Sequence, residues 1–147
     1  MDDEPGQTRR GVRRELIRHR SGTRAAHGIG FTAYSPLAGG PLTGKYRAGE
    51  RAPAGSRLAL LPGWCGHLPA DALFRTLDRL REAAADRGST LAALAPAWMV
   101  SDPAVTTTLI APRTPEQLAA MCAVPDMSLS DGERAAITKI ATETGGD

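Results

Sequence analysis

Gly28-Ile29-Gly30-Phe31-Thr32-Ala33-Tyr34-Ser35-Pro36-Leu37-Ala38-Gly39-Gly40-Pro41-Leu42-Thr43-Gly44-Lys45-Tyr46 is the stretch on which the reading of this chain turns. Its first part, Ile29 to Ser35, is β-rich; His27-Gly28 is a helix-ending signal before it, and Pro36 stops it. Its second part, Pro36 to Lys45, is a glycine-rich loop. Glycines let backbone approach a ligand closely, and a lysine at the end of such a loop can neutralise phosphate. The GxxxxGK[ST] spacing of a P-loop is absent. A flexible turn is the other reading of the same residues.

Upstream, residues 1–28 form a distinct zone carrying seven arginines, with Val12, Leu16 and Ile17 as its sizeable apolar residues. Such a segment reads as a nucleic-acid-binding arm or as a frayed, partly helical solvated tail. Four interspersed acids and the lack of interleaved aromatics favour the tail, so no nucleic-acid partner is expected.

Downstream, residues 46–69 are rich in Gly, Pro and Arg without a sustained period, and read as a long irregular loop. Asp71 to Arg87 reads as a helix, with Leu73, Phe74, Leu77, Leu80 and Ala84 on one face and Gly88 as its stop. A second helix starts at a Ser89 or Thr90 cap and carries Leu91, Leu94, Ala95 and Trp98 on one face. A kink or early break is expected at Pro96, and Asp102-Pro103 ends the helix. Ala104 to Ile110 reads as a strand. Thr114-Pro115-Glu116-Gln117 and Ser130-Asp131-Gly132-Glu133 read as capping boxes opening two further helices. Ile137 and Ile140 mark the buried side of the last one, and Gly145-Gly146 its end. Strand, long loop, two helices, strand, helix, helix implies parallel strands joined by helical crossovers.

The composition fits a soluble globular chain: 147 residues, 41% hydrophobic, 23% charged and a net charge of +2. At 4% aromatic residues, the core must come from Ala, Leu, Ile and Val. No apolar run approaches about 18 residues, so no transmembrane helix is expected. The N-terminus lacks the apolar stretch of a secretory signal. Cys65 and Cys122 read as reduced thiols, without metal-ligand spacing, and the expected compartment is the cytoplasm.

Chemistry concentrates in two places. The unit from Thr106 to Met121 runs a strand into a turn bearing Arg113 and then into a capped helix. Free N–H groups and the dipole attract anions there, and Arg113 adds a bidentate donor. An ordinary capped helix with an exposed arginine is the competing reading. The glycine-rich loop ending at Lys45 is the second place. His19, His27 and His67 lack nucleophile or metal partners at useful spacing. Tyr34 and Tyr46 are the tyrosines able to act as phenolic acids, without a lysine or aspartate fixed beside them.

These segments together resemble the aldo-keto reductases, specifically the branch containing potassium channel β subunits and many bacterial reductases. The residues carrying the resemblance are Gly28 to Tyr46, Gly55-Ser56-Arg57, Gly88-Ser89, Ala97-Trp98, Thr108-Leu109-Ile110, Arg113 to Leu118, and Leu129-Ser130; it spans about residues 26 to 142. The resemblance implies a (β/α)8 barrel and NADPH-dependent carbonyl reduction. Tyr34 would stack on the nicotinamide, and Ser35, Pro36, Leu37 and Gly39 would line the cofactor. Lys45 and Arg57 would approach the pyrophosphate, and Arg113 and Gln117 would lie at the adenosine end, with Arg113 pairing the 2′-phosphate. No metal is implied.

Three features depart from the family pattern: Ala111-Pro112 precedes Arg113, Ala120-Met121 stands where Glu-Asn usually holds the adenine, and Pro96 interrupts a helix. NADP(H) is therefore expected to bind weakly or conditionally. The family's catalytic Asp, Tyr, Lys and His come from the first half of the barrel, which has no counterpart here. A whole barrel needs about 250 residues. The expectation is a C-terminal partial barrel over residues 29–147, with about two parallel strands, preceded by the basic segment 1–28. Such a piece should pair with a complementing N-terminal half-barrel or with copies of itself. The alternatives are a repurposed non-redox binding or oligomerising module, and a truncated inactive remnant.

Overall fold

A computed structural model describes residues 26–61 and 70–143. The basic segment up to residue 25, with His19, lies outside the described residues. So do Cys65, His67 and the Gly145-Gly146 helix end. In chain order the elements are strand β1 (Thr32–Ala33), a 3-10 turn (Pro41–Thr43), α1 (Arg57–Leu60) and α2 (Ala70–Ala85). They continue with α3 (Leu91–Val100), β2 (Thr107–Thr108), α4 (Pro115–Cys122), a 3-10 turn (Val124–Asp126) and α5 (Asp131–Glu143).

The two strands pair in parallel, Thr32 opposite Thr107 and Ala33 opposite Thr108. Both are much shorter than the runs Ile29–Ser35 and Ala104–Ile110 suggest. Ser35 has a φ of 58°, a left-handed conformation that turns the chain out of the ladder. At the other strand, Asp102 captures the start of the run: its carboxylate accepts the Ala104 N–H at 2.9 Å and its carbonyl the Val105 N–H at 2.8 Å. Thr106 then donates its N–H to the Phe31 carbonyl and accepts the Phe31 N–H on its hydroxyl, both at 2.9 Å. Gly30 leaves room for that hydroxyl, which would lie 3.2 Å from a Cβ at this position.

The expected face of α2 is the observed one. Leu77, Leu80 and Ala84 are buried, and Leu73 and Phe74 pack on the same cluster with Leu42, Leu91, Ile137 and Ile140. The helix ends two residues earlier than the periodicity suggests. Gly88 at φ 62° lets its own N–H reach the Ala85 carbonyl and the Ser89 N–H reach Ala84, the paired bonds of a Schellman turn.

Thr90 caps α3 by accepting the Ala93 N–H. Of the kink or early break expected at Pro96, the break does not occur: α3 runs through Pro96 to Val100. Proline inside a helix costs about 3 kcal/mol. Here its ring is among the most completely buried side chains of the chain, so packing offsets the lost hydrogen bond. Leu91, Ala93, Leu94, Pro96 and Ala97 are all buried, so α3 is enclosed on most sides rather than along one stripe. It touches α2, α4, β2 and both 3-10 turns.

The last helix is fastened by side chains. Ser130 and Glu133 form the reciprocal capping box read from the sequence. Arg87 binds Glu133 and the Ser128 carbonyl, and Arg134 binds Asp102. The stretch 46–69 is not wholly irregular: Ser56, itself buried, accepts the Ala59 N–H and starts the single-turn helix α1. Among the described residues, no helix is long and apolar enough to cross a membrane.

Candidate functional site

Because β1 and β2 are parallel and in register, the loops that follow them leave from the same end of the sheet. One loop carries Tyr34 to Lys45, and the other leads through Arg113 into α4. Ala33 faces the helices and is buried, while Thr108 donates its hydroxyl to the Met99 sulfur on α3 at 3.3 Å. Tyr34 and Leu109 follow them on the opposite face and are 77% and 64% exposed. Among the described residues, helices thus cover one face of the sheet, and Tyr34 and Leu109 lie exposed on the other.

Tyr34, Ser35, Pro36, Leu37 and Gly39 lie on a tightly wound turn. The Ser35 carbonyl accepts the Ala38 N–H at 2.9 Å, and the Leu37 carbonyl accepts the Gly40 N–H at 2.8 Å. Ser35 and Ala38 both hold positive φ, a strained backbone for residues with a Cβ. Pro36 is buried beneath the turn and Leu37 half-buried. The Lys45 side chain is exposed, its ammonium 5.2 Å from the centroid of the Tyr46 ring. Arg57 is the first residue of α1.

At the second loop Thr114 caps α4, accepting the Gln117 N–H at 3.3 Å. The Gln117 carboxamide oxygen reaches back to accept the Arg113 N–H at 2.8 Å. This carboxamide therefore shapes the turn that presents Arg113, a task the adenosine-end expectation did not include. Both side chains are on the surface. A hydrogen bond from the Thr114 hydroxyl, reinforced by the backbone N–H of Glu116, holds the Glu116 carboxyl below its ordinary value.

Of the nine expected residues, Tyr34, Ser35, Pro36, Leu37 and Gly39 follow β1 directly and Arg113 and Gln117 follow β2, on loops that leave the same end of the sheet; Lys45 and Arg57 come further along the chain. A cavity of about 490 Å³ lies on the other side of the first loop, between it and α2, α3 and α5. Ser35 and Pro36 contribute to its wall; Lys45, Arg57, Arg113 and Gln117 do not. Its lining is almost wholly apolar, so it lacks the charge that a dinucleotide needs.

Sequence reading named Tyr46 as a tyrosine able to act as a phenolic acid and Ser56 within the Gly55-Ser56-Arg57 match, but not the burial of either. Tyr46 is buried, with its hydroxyl accepting the Leu58 N–H and its carbonyl accepting from Arg81. The available signal was a large aromatic placed between two glycine-rich segments of a chain with few aromatics. Among the described residues, no cluster of His, Cys, Asp and Glu is arranged to hold a metal ion. His27 and Cys122 are exposed.

Comparison with known proteins gives one family. Residues 10–142 match the model of the aldo/keto reductase family. A probable voltage-gated potassium channel subunit beta from Arabidopsis thaliana is 42% identical over 85 residues, 56% of this chain and 26% of that protein. An L-glyceraldehyde 3-phosphate reductase from Escherichia coli (strain K12) is 36% identical over 96 residues, 63% of this chain and 27% of that protein. The solved structure of a glycerol dehydrogenase from Gluconobacter oxydans superposes with a TM-score of 0.66 at 25% identity, covering 82% of this chain and 36% of its own. The chain spans about a quarter of the length of the curated relatives it matches. Two parallel strands backed by helices agree with part of a (β/α)8 barrel.

Proposed function

Because this chain belongs to the aldo/keto reductase family, we propose that it supplies the NADP(H)-binding, C-terminal side of a carbonyl-reducing oxidoreductase. The observation that carries the reading is the parallel register of Thr32 with Thr107 and Ala33 with Thr108. It sends the loop of Tyr34 and Lys45 and the capped α4 with Arg113 out of the same end of the sheet. In barrels of this architecture that end is where ligands bind.

The residues there fit a dinucleotide phosphate. Tyr34 offers an exposed ring for stacking, Ser35, Pro36, Leu37 and Gly39 a close-approach backbone, and Lys45 and Arg57 two cations for a pyrophosphate. Arg113 stands just before the N-terminus of α4 and takes the 2′-phosphate, with Gln117 holding its backbone. The bound cofactor supplies the hydride. This chain's residues bind and orient it, and acid–base work at the carbonyl falls to residues beyond those carried here. One relative is named for reducing L-glyceraldehyde 3-phosphate, an aldehyde, which is the reaction class carried over. In this reading residues 29–147 form the binding unit, residues 1–28 precede it, and the cytoplasm is the site of action.

Completion by another chain follows from the bare sheet face of Tyr34 and Leu109. A complementing half-barrel would cover it and bring the missing catalytic groups. A second reading rests on the same face: a binding or oligomerising module without redox chemistry. Fluorescence titration of the full chain with NADPH and NADH separates the two. Saturable NADPH binding below about 1 mM, tighter than NADH, is expected. A flat titration from a monodisperse oligomer supports the module instead.

A further inference from the structure

The cavity of about 490 Å³ between the first loop, α2, α3 and α5 differs in chemistry from the cofactor side of the chain. Its floor is the core itself: Leu77 and Leu80 of α2 and Leu91 and Leu94 of α3 line it, and all four are buried. Among the described residues, no charged side chain takes part in its wall. The inner polar groups are already engaged. Thr76 donates its hydroxyl to the Ala72 carbonyl at 2.9 Å, and Trp98 directs its indole N–H to the Arg134 carbonyl and the Thr138 hydroxyl of α5. Ser35 is exposed and belongs to the rim.

This wall decides what can fill the space. A water held in such a place needs roughly two to four polar partners, and the inner wall offers none. A charged group would give up its hydration without gaining a partner. An apolar guest gains the dispersion contacts that an empty space forfeits. The volume falls within the roughly 300 to 1,000 Å³ of small-molecule sites. A single helical turn, about 10 Å across and about 5.4 Å long, would already take up most of it, so a docked helix is a poor occupant.

We propose that this cavity is a second binding site, for an uncharged, mainly apolar small molecule. Lys45, Arg57, Arg113 and Gln117 take no part in its wall, so the site does not depend on the NADP(H) reading.

The test uses two fluorescent probes of one skeleton. Neutral N-phenyl-1-naphthylamine, titrated into the full chain, should saturate at about one molecule per chain with a Kd of about 10 μM or below. Its anionic counterpart, 1-anilinonaphthalene-8-sulfonate, should bind at least about tenfold more weakly, because the sulfonate cannot be buried there. Ala95→Leu extends a side chain from α3 into the space and should weaken the neutral probe about tenfold, with near-UV circular dichroism retained. Leu109→Ser, on the exposed face of the sheet, should leave its binding unchanged.

A further measurement needs no cavity variant. In Trp64→Phe, Trp98 is the single indole, and its emission should fall as the neutral probe binds beside it. Equal affinities for the two probes, or an unquenched Trp98, would overturn the proposal. So would the absence of saturable binding, or binding that survives Ala95→Leu and disappears with Leu109→Ser.

Discussion

Trp98 on α3 donates its indole N–H to the Arg134 carbonyl of α5 at 3.2 Å and to the Thr138 hydroxyl at 3.1 Å, and the Arg134 guanidinium lies 5.8 Å from the same ring. One aromatic side chain thus joins the central helix to the last one through bonds at its edge and a cation over its ring. In a chain with two tryptophans and few other aromatics, this is a principal attachment of α5. Trp98→Phe should cost about 1 to 2 kcal/mol through the lost donor, and Trp98→Ala about 3 to 5 kcal/mol. Urea unfolding followed by far-UV circular dichroism measures both, and equal midpoints for wild type and Trp98→Phe would refute the attachment.

Gly40 and Gly88 both hold positive φ but differ in surroundings. A Cβ at Gly88 meets open space, whereas one at Gly40 meets the Tyr46 ring. Gly88→Ala should therefore cost about 1 kcal/mol from backbone strain alone. Gly40→Ala adds a steric clash and should cost about 2 to 4 kcal/mol. Thermal unfolding of the two variants gives the order, and a reversed order would sink the argument.

Arg113→Ala should weaken NADPH binding about tenfold while leaving NADH nearly unchanged, because a lost charge-assisted pair matters only where the 2′-phosphate exists. Parallel titrations with the two nucleotides read the ratio. Equal losses for both would place Arg113 elsewhere than at that phosphate.

Glu116 provides a pH signature. Its carboxyl is held below the ordinary 4.5 by the Thr114 hydroxyl, then by its own backbone N–H. A group whose folded pKa is depressed adds stability that is present above its unfolded pKa and fades as pH falls through the folded one. Thr114→Val should remove this contribution together with the helix cap, whose loss costs about 1 kcal/mol at neutral pH. The gap between wild type and variant should narrow on acidification below 4.5, measured as unfolding midpoints across pH. A gap that widens in acid contradicts the sign.

Much of the helical frame was legible because it is periodic and capped. Leu73, Leu77, Leu80 and Ala84 announce the buried face of α2, and the Ser130 and Glu133 box announces α5. The strands were legible as places but not as lengths. Their ends depend on the left-handed Ser35 and on the turn at Asp102, which are properties of contact rather than of composition. α1 escaped because four residues show no period. Pro96 misled because a proline's helix-breaking cost is local, while the packing that outweighs it is supplied by the rest of the chain. At the candidate site, the loops and their cations were readable from motif and resemblance. The burial of Tyr46 was not, since it depends on contacts with the turn at Gly40 and with Leu58 and Arg81, which no local pattern announces.

The pairing of Phe31 with Thr106 bridges 75 positions of the chain, whereas α2 and α3 are neighbours in sequence. Closing so long a span is entropically slow, and local helical contacts form before it. The sheet is therefore expected to assemble after the local helical contacts and to open before them, while most of the helical signal persists. On heating, the alignment of the Tyr34 and Arg113 loops should vanish at a lower temperature than the helices, which makes ligand-competent chain a smaller population than folded-looking chain.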